Sequence, residues 1–218
     1  MVELRHGLAT PRIAENLRRV REEIDAATGP GTVRILAATK YVPAEELPAL
    51  AEAGIELVGE NRAQDLAEKA ARHGELFEWH FIGQLQSRRV RTIVPHVSLI
   101  HSVASRSALK ELERHAGLAK AGLRILLEVN VAGEQGKAGI APEEIEAYVE
   151  ASPVPVAGLM TMPPLSSEPE DSRRWFAALR ELAAGHGLEE LSMGTSQDYL
   201  VAAEEGATIV RIGTRLYD

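Results

Sequence analysis

The sequence predicts an α/β fold, a single-domain (β/α)8 TIM barrel spanning 1–218. Three observations predict it. Eight short apolar runs recur along the chain, helical patterns separate most of them, and polar residues gather where the runs end. Strands alternating with helices argue for a parallel sheet, and eight such strands close a barrel. An open doubly wound sheet is the structural alternative. No break in composition marks a domain boundary, and no short repeat or low-complexity tract is visible.

The first element is a helix over 11–28. Thr10 suits its cap and Pro11 its first turn, Ile13, Leu17, Val20 and Ile24 recur at helical spacing, and Gly29-Pro30-Gly31 ends it. The strand runs are 34–39, 56–60, 78–83, 97–103, 124–130, 154–162, 190–194 and 207–213. Between them, 62–73 sets Ala63, Leu66, Ala67 and Ala70 on one face, 105–120 carries Leu109, Leu112 and Ala116, and 170–184 carries Trp175, Leu179 and Leu182. The basic segment 87–95 has the weakest helical pattern. Asp218 follows the eighth strand too closely for a final helix, so the 11–28 helix is expected to fill that place in the ring. Two loops, 132–139 and 163–169, follow the fifth and sixth strands, where a barrel carries its active-site loops.

Composition limits the functions on offer. The hydrophobic fraction of 45% is ample for a core, and the net charge of −8 disfavours general nucleic-acid binding. The absence of cysteine excludes disulfides, thiolate metal sites and cysteine nucleophiles, and is compatible with a reducing compartment. Met1 to Arg21 is charged and lacks an apolar signal core, and no run approaches membrane-spanning length. A soluble, cytoplasmic protein with no membrane or nucleic-acid partner is expected.

The polar residues point to chemistry. The first run ends at Lys40, the second at Glu60-Asn61, the third carries His80 toward Gly83-Gln84, the fourth carries His101-Ser102, and the fifth ends at Asn130. The seventh leads into Ser196, and the eighth carries Arg211 before Gly213-Thr214. In a barrel these groups converge on one mouth. A lysine amine held against apolar walls becomes nucleophilic toward aldehydes; the plainer reading of Lys40 is a lysine that snorkels at a strand end. Ser196 suits the start of the helix carrying Leu200 and Ala203, where free N–H groups attract a phosphate, and Gly213-Thr214 adds a second such turn. An aldehyde-trapping lysine and a phosphate cup in a barrel suggest pyridoxal 5′-phosphate. A guanidinium has only donors, so Arg211 opposite the pyridine nitrogen would keep that nitrogen an unprotonated acceptor; a salt bridge inside the barrel is its plainer role.

The motifs, taken in order, resemble those of the pyridoxal phosphate homeostasis proteins, the YggS or PROSC family. They are Ala-Ala-Thr-Lys at 37–40, Gly-Glu-Asn at 59–61, Trp-His-Phe-Ile-Gly-Gln-Leu-Gln-Ser at 79–87, Ile-His-Ser-Val at 100–103, Gly-Leu-Met at 158–160, Met-Gly-Thr-Ser-Gln-Asp at 193–198 and Val-Arg-Ile-Gly-Thr at 210–214. Thr39, Gln84, Ala104, Thr195 and Asp218 depart from the usual pattern without removing a cofactor contact. The resemblance implies a barrel like the alanine racemase N-terminal domain with the cofactor held as a Schiff base. Lys40 would carry it and Asn61 would contact it near the ring. Ser196, Gly213 and Thr214 would hold the phosphate, Arg211 would face the pyridine nitrogen, and His80 and Met160 would line the pocket.

The expected function is therefore binding of pyridoxal 5′-phosphate for buffering or delivery to apoenzymes that depend on it, by a monomer or a dimer, without catalysis of its own and without a metal. An amino-acid racemase or decarboxylase is the alternative. Relatives with that chemistry carry a second, β-rich domain, for which this chain has no residues left. A Schiff-base aldolase without cofactor is a third reading, one that gives Arg211 no purpose.

Overall fold

The structure, a computed structural model, describes residues 4–218. Its strands are β1 (Arg34–Ala38), β2 (Leu57–Glu60), β3 (Glu78–Phe81), β4 (Leu99–Val103), β5 (Arg124–Glu128), β6 (Val156–Met160), β7 (Glu190–Thr195) and β8 (Ile209–Ile212). They close in sequence order into one barrel, with β1 paired parallel to β8 through Leu36 opposite Arg211. That pairing excludes the open sheet.

The helices are α1 (Thr10–Thr28), α2 (Leu47–Glu52), α3 (Ala63–His73), α4 (Val90–Ile93), α5 (Arg106–Arg114), α6 (Ile145–Glu150), α7 (Arg173–Gly185), α8 (Tyr199–Glu204) and the single turn α9 (Thr214–Tyr217). α1 packs on α2, α8 and α9 and so closes the ring beside β8. It stops at Gly29, whose φ of 90° is open to glycine at little cost. Thr10 does not cap it: the cap position is Ala9, and the Thr10 hydroxyl turns toward Glu52 at 3.5 Å. The 105–120 segment is shorter than its pattern, because α5 ends at Arg114 and a separate 3-10 turn, Ala116–Leu118, holds the rest. Ser105 caps α5 by accepting from the Ala108 N–H at 3.2 Å. α2 and α6 are six residues each, too short to announce themselves by periodicity.

Strand alternation divides the interior into two cores. Outward side chains such as Trp79, Phe81, Ile100, Leu127 and Val210 pack beneath helix residues such as Leu66, Leu112 and Phe176. Inward side chains Leu36, Leu57, Leu99, Leu126, Met160 and Ile209 form a second, separate apolar cluster. Full burial of each such leucine or isoleucine is worth about 1.5–3 kcal/mol. The inward face also carries Glu78, His80, His101, Ser192 and Arg211, linked by hydrogen bonds. Arg211 reaches the mouth, and the other four lie below it. Among the described residues no helix is long and apolar enough to cross a membrane, and no acidic, histidine or cysteine cluster could hold a metal.

Candidate functional site

A cavity of about 470 Å³ opens at the C-terminal ends of the strands. Lys40, Asn61, Met160, Ser196, Arg211, Gly213 and Thr214 all line it. A larger groove, about 820 Å³, runs along the other end of the barrel past Arg34, Glu56 and Glu78 and holds none of them.

Lys40 lies just past β1, half-buried. Its Nζ sits 4.7 Å from the centre of the Tyr41 ring, and among the described residues it enters no ion pair. The backbone before it is tied down. The Thr39 N–H donates to the Gly59 carbonyl at 3.0 Å, and the Thr39 hydroxyl donates to Glu60 Oε1 at 2.7 Å. Lys69, on α3, reaches in behind this turn. Its ammonium donates to the Thr39 carbonyl at 2.9 Å and forms an ion pair with Glu60. The Asn61 N–H donates to the other Glu60 oxygen at 3.2 Å. One buried pair therefore braces the two strand ends that deliver Lys40 and Asn61. Gly83 completes this side: a Cβ there would collide with the Asn61 backbone.

Across from Lys40, the β7 and β8 turns are joined by the Gly213 N–H, which donates to Ser196 Oγ at 3.0 Å. Ser196 does not cap α8, contrary to the sequence reading. Asp198 holds the cap position, and its carboxylate accepts from the Thr195 N–H at 2.7 Å and the Thr195 hydroxyl at 3.1 Å. The Ser196 side chain is thereby left to the β8 turn. Gly213 caps α9, and its carbonyl accepts from the Leu216 N–H at 2.9 Å.

Arg211 is buried and held on three sides. It donates to Ser192 Oγ at 2.5 Å, to the Thr161 carbonyl at 3.1 Å and to Met162 Sδ at 2.9 Å. Burial lowers its pKa to about 10, with Asp198 and Glu128 opposing that shift.

His80 needs correction. It does not line the cavity but is fully buried one layer lower, between Glu78 and His101. β3 ends at Phe81, later than a mouth position for His80 would require, and Ile82 and Gly83 form the rim instead. His101, Glu60 and Asn130 also stay out of the cavity. Asn130 pins the 132–139 loop instead, donating to the Glu134 carbonyl at 2.9 Å and accepting the Glu134 N–H at 3.2 Å. Neither that loop nor 163–169 reaches the cavity.

Sequence reasoning missed several lining groups, among them Glu128, Tyr41, Met162 and Tyr217. Glu128 matters most chemically. It stands on β5, diametrically opposite β1, with Oε2 buried and, among the described residues, without a hydrogen-bond partner. Burial raises its pKa, while Arg211 and Lys137 pull it back. Asn61 Oδ1 is likewise buried without a partner. Two such polar atoms on residues lining one cavity are what a polar ligand would satisfy.

The alanine racemase N-terminal domain family matches residues 9–218. The pyridoxal phosphate homeostasis protein of Aquifex aeolicus is 39% identical over 96% of this chain and 97% of its own length. That of Pseudomonas aeruginosa is 41% identical over 94% of each. The solved structure of PipY from Synechococcus elongatus with PLP bound superposes with a TM-score of 0.82 at 33% identity, covering 94% of this chain and all of that one. Alanine racemase of Bartonella henselae shares the barrel alone, with a TM-score of 0.72 at 13% identity over 59% of its length. An eight-stranded barrel with this mouth, matched along nearly its whole length, places the chain in the pyridoxal phosphate homeostasis protein family, within the alanine racemase N-terminal domain fold.

Proposed function

We propose that this protein holds pyridoxal 5′-phosphate on Lys40 at the barrel mouth and gives it up to apoenzymes that require it, without turning over amino acids itself. The observation that carries the reading is one cavity joining an amine that enters no ion pair among the described residues, a pair of polar turns and a firmly held guanidinium. The names of its relatives and the PLP-bound PipY structure support it.

The residues present fit the cofactor. When bound, pyridoxal phosphate supplies a reactive aldehyde and an electron sink. Lys40 Nζ would hold the aldehyde carbon. Ser196, Gly213 and Thr214 would hold the phosphate. Arg211 would face the ring nitrogen and, having only donors, would keep it an acceptor. The orphaned Asn61 amide oxygen would find a partner at the ring, and buried Met160 would supply apolar floor.

Borohydride reduction of the loaded protein, then peptide mapping by mass, tests this directly. The cofactor mass is expected on the peptide containing Lys40. Label on Lys69 or Lys137 with Lys40 unmodified would overturn the assignment; both of those amines are engaged in ion pairs, with Glu60 and Glu134.

One observation favours the racemase reading. Lys40 and Glu128 stand at the ends of opposite strands, the arrangement two acid–base groups would need on either side of a substrate. Proton exchange at the α-carbon of a panel of amino acids in deuterated buffer, followed by NMR, separates the two. A carrier leaves only slow background, whereas exchange on the order of 1 per second or faster would establish catalysis.

A further inference from the structure

We propose that a buried chain of hydrogen bonds, Glu78–His80–His101–Ser192–Arg211, fixes the pose and donor direction of Arg211, making Ser192 and His101 positioning residues for the group that faces the cofactor's ring nitrogen. The role toward the cofactor rests on the reading of Arg211 given above; the chain itself does not.

Barrel interiors are ordinarily filled by branched apolar side chains. Here the inward positions of β3, β4, β7 and β8 carry polar groups instead. Arg211 Nη1 lies 2.5 Å from Ser192 Oγ, Ser192 Oγ 2.8 Å from His101 Nδ1, and His101 Nε2 2.9 Å from His80 Nδ1. His80 Nε2 is 2.9 Å from Glu78 Oε1, which also accepts from the Ser98 hydroxyl at 2.7 Å. The run crosses the barrel from the mouth to the opposite rim, where Glu78 is half-exposed and paired with Arg34. His80, His101 and Ser192 are fully buried.

The two ends dictate the direction of every link. A guanidinium only donates and a carboxylate only accepts. Ser192 Oγ accepts from Arg211 and donates its O–H to His101 Nδ1. His101 must then donate from Nε2 to His80 Nδ1, and His80 from Nε2 to Glu78. With both imidazoles neutral this is the single arrangement that leaves no polar atom unpaired. A proton added to His80 would reverse the links to His101 and Ser192. Burial opposes that proton most, Arg34 adds to the opposition, and Glu78 and Glu190 favour it; His101 is held down by burial first and then by the charges of His80, Arg211 and Arg34, so both imidazoles lie below their ordinary pKa. Glu78 stays ionised because the His80 hydrogen bond, aided by Ser98 and Arg34, holds its pKa well down against partial burial.

The arrangement serves a purpose. Among the described residues Arg211 has no carboxylate in direct contact. Asp198 and Glu128 favour its charge from a distance, and the groups that touch it below are neutral, their dipoles aligned from Arg211 to Glu78 with each bond polarising the next. The guanidinium keeps one orientation without a carboxylate in direct contact with it among the described residues.

Long-range proton–nitrogen correlation NMR on the ¹⁵N-histidine-labelled apoprotein tests the chain without any cofactor. Both buried histidines are expected as neutral Nε2–H tautomers at pH 7. An Nδ1–H tautomer or an imidazolium at either position overturns the proposal. The role of the chain toward Arg211 is read on Ser192→Ala, His101→Phe and the double variant. Each single change should weaken pyridoxal phosphate binding roughly two- to tenfold and shift the cofactor's absorbance maximum alike, and the double variant should be no worse than the worse single one. Additive losses, or an unmoved absorbance, would reduce both residues to packing. If wild-type protein bound no cofactor at all, the proposed function would fail while the tautomer result stood by itself.

Discussion

Lys40 and Arg211 sit at the ends of neighbouring strands and share one cavity, yet opposite parts of them are held. For Lys40 the backbone is fixed: Thr39 is tied to Gly59, Glu60 and Lys69, while the lysine amine rests on the Tyr41 ring and, among the described residues, enters no ion pair. For Arg211 the side chain is fixed, by Ser192, Thr161 and Met162. A group that must form and break a bond needs a rooted stem and a free tip. A group that must present a donor to one place needs a rooted tip. The braces differ too. Behind Lys40 stands a buried ion pair, Lys69–Glu60, and behind Arg211 a neutral relay. A buried ion pair is fragile to the loss of one member, because the other is left as an uncompensated charge.

The largest effect should therefore come from Lys69→Met. It strands the fully buried Glu60 and should cost about 3–5 kcal/mol of stability. In a chain of this size that is a fall in melting temperature of roughly 6–20 °C. Adding Glu60→Leu should restore most of the loss. If the single variant melts within about 2 °C of wild type by calorimetry, the ion pair is not the brace described.

Next comes Ser196→Ala. It removes the acceptor for the Gly213 N–H and a proposed phosphate contact. Loss of a hydrogen bond to a charged group is worth about 1.5–3 kcal/mol, or roughly ten- to a hundredfold in cofactor affinity. Fluorescence titration of apoprotein measures it, and unchanged affinity would move the phosphate elsewhere. Gly83→Ala should be smaller, about 1–3 kcal/mol, because its Cβ displaces the Asn61 backbone. The change should appear in cofactor affinity as well as in melting temperature, since Asn61 moves with it.

The sequence carried the strands and the mouth better than the layer beneath. Lys40, Ser196 and Arg211 were legible because apolar runs end beside them and barrels place function at such ends. His80 and His101 were placed one layer too high, because a run of apolar residues does not mark where pairing stops. β4 even shifts register between Ile100 and Val103. Alternation from Glu78 to His80, which puts both on one strand face, was the signal for an interior chain. Lys69 was read past because a lysine on a helix is ordinarily solvated. Its spacing of three from Leu66 and six from Ala63 puts it on the buried stripe of α3. Glu128 was hidden by a strand read as running to 130, though it shares parity with inward Leu126.

The smallest effect separates two carboxylates at opposite ends of the barrel. Glu128, at the mouth, has its pKa raised by burial above the ordinary 4.5, against the pull of Arg211 and Lys137. A carboxyl whose folded pKa is raised contributes most below its unfolded pKa, and that contribution is lost as pH rises through the folded value. Glu128→Gln, neutral throughout, should therefore melt like wild type near pH 4 and a few degrees higher at pH 8. Glu78 runs the other way. The His80 hydrogen bond lowers its pKa, so its contribution is present above about 4.5 and fades only as the solution turns strongly acid. Glu78→Gln should cost stability at pH 8 and little in acid, an effect reduced by solvent screening because the side chain is 37% exposed. Melting curves from pH 2 to 8 should separate the two: Glu128→Gln departs upward from wild type as pH rises past 4, and Glu78→Gln stays below wild type until strong acid brings the two together. A Glu128→Gln protein that melts below wild type at pH 8 would mean that the mouth is stabilised by a charged carboxylate there, against the raised pKa that burial imposes.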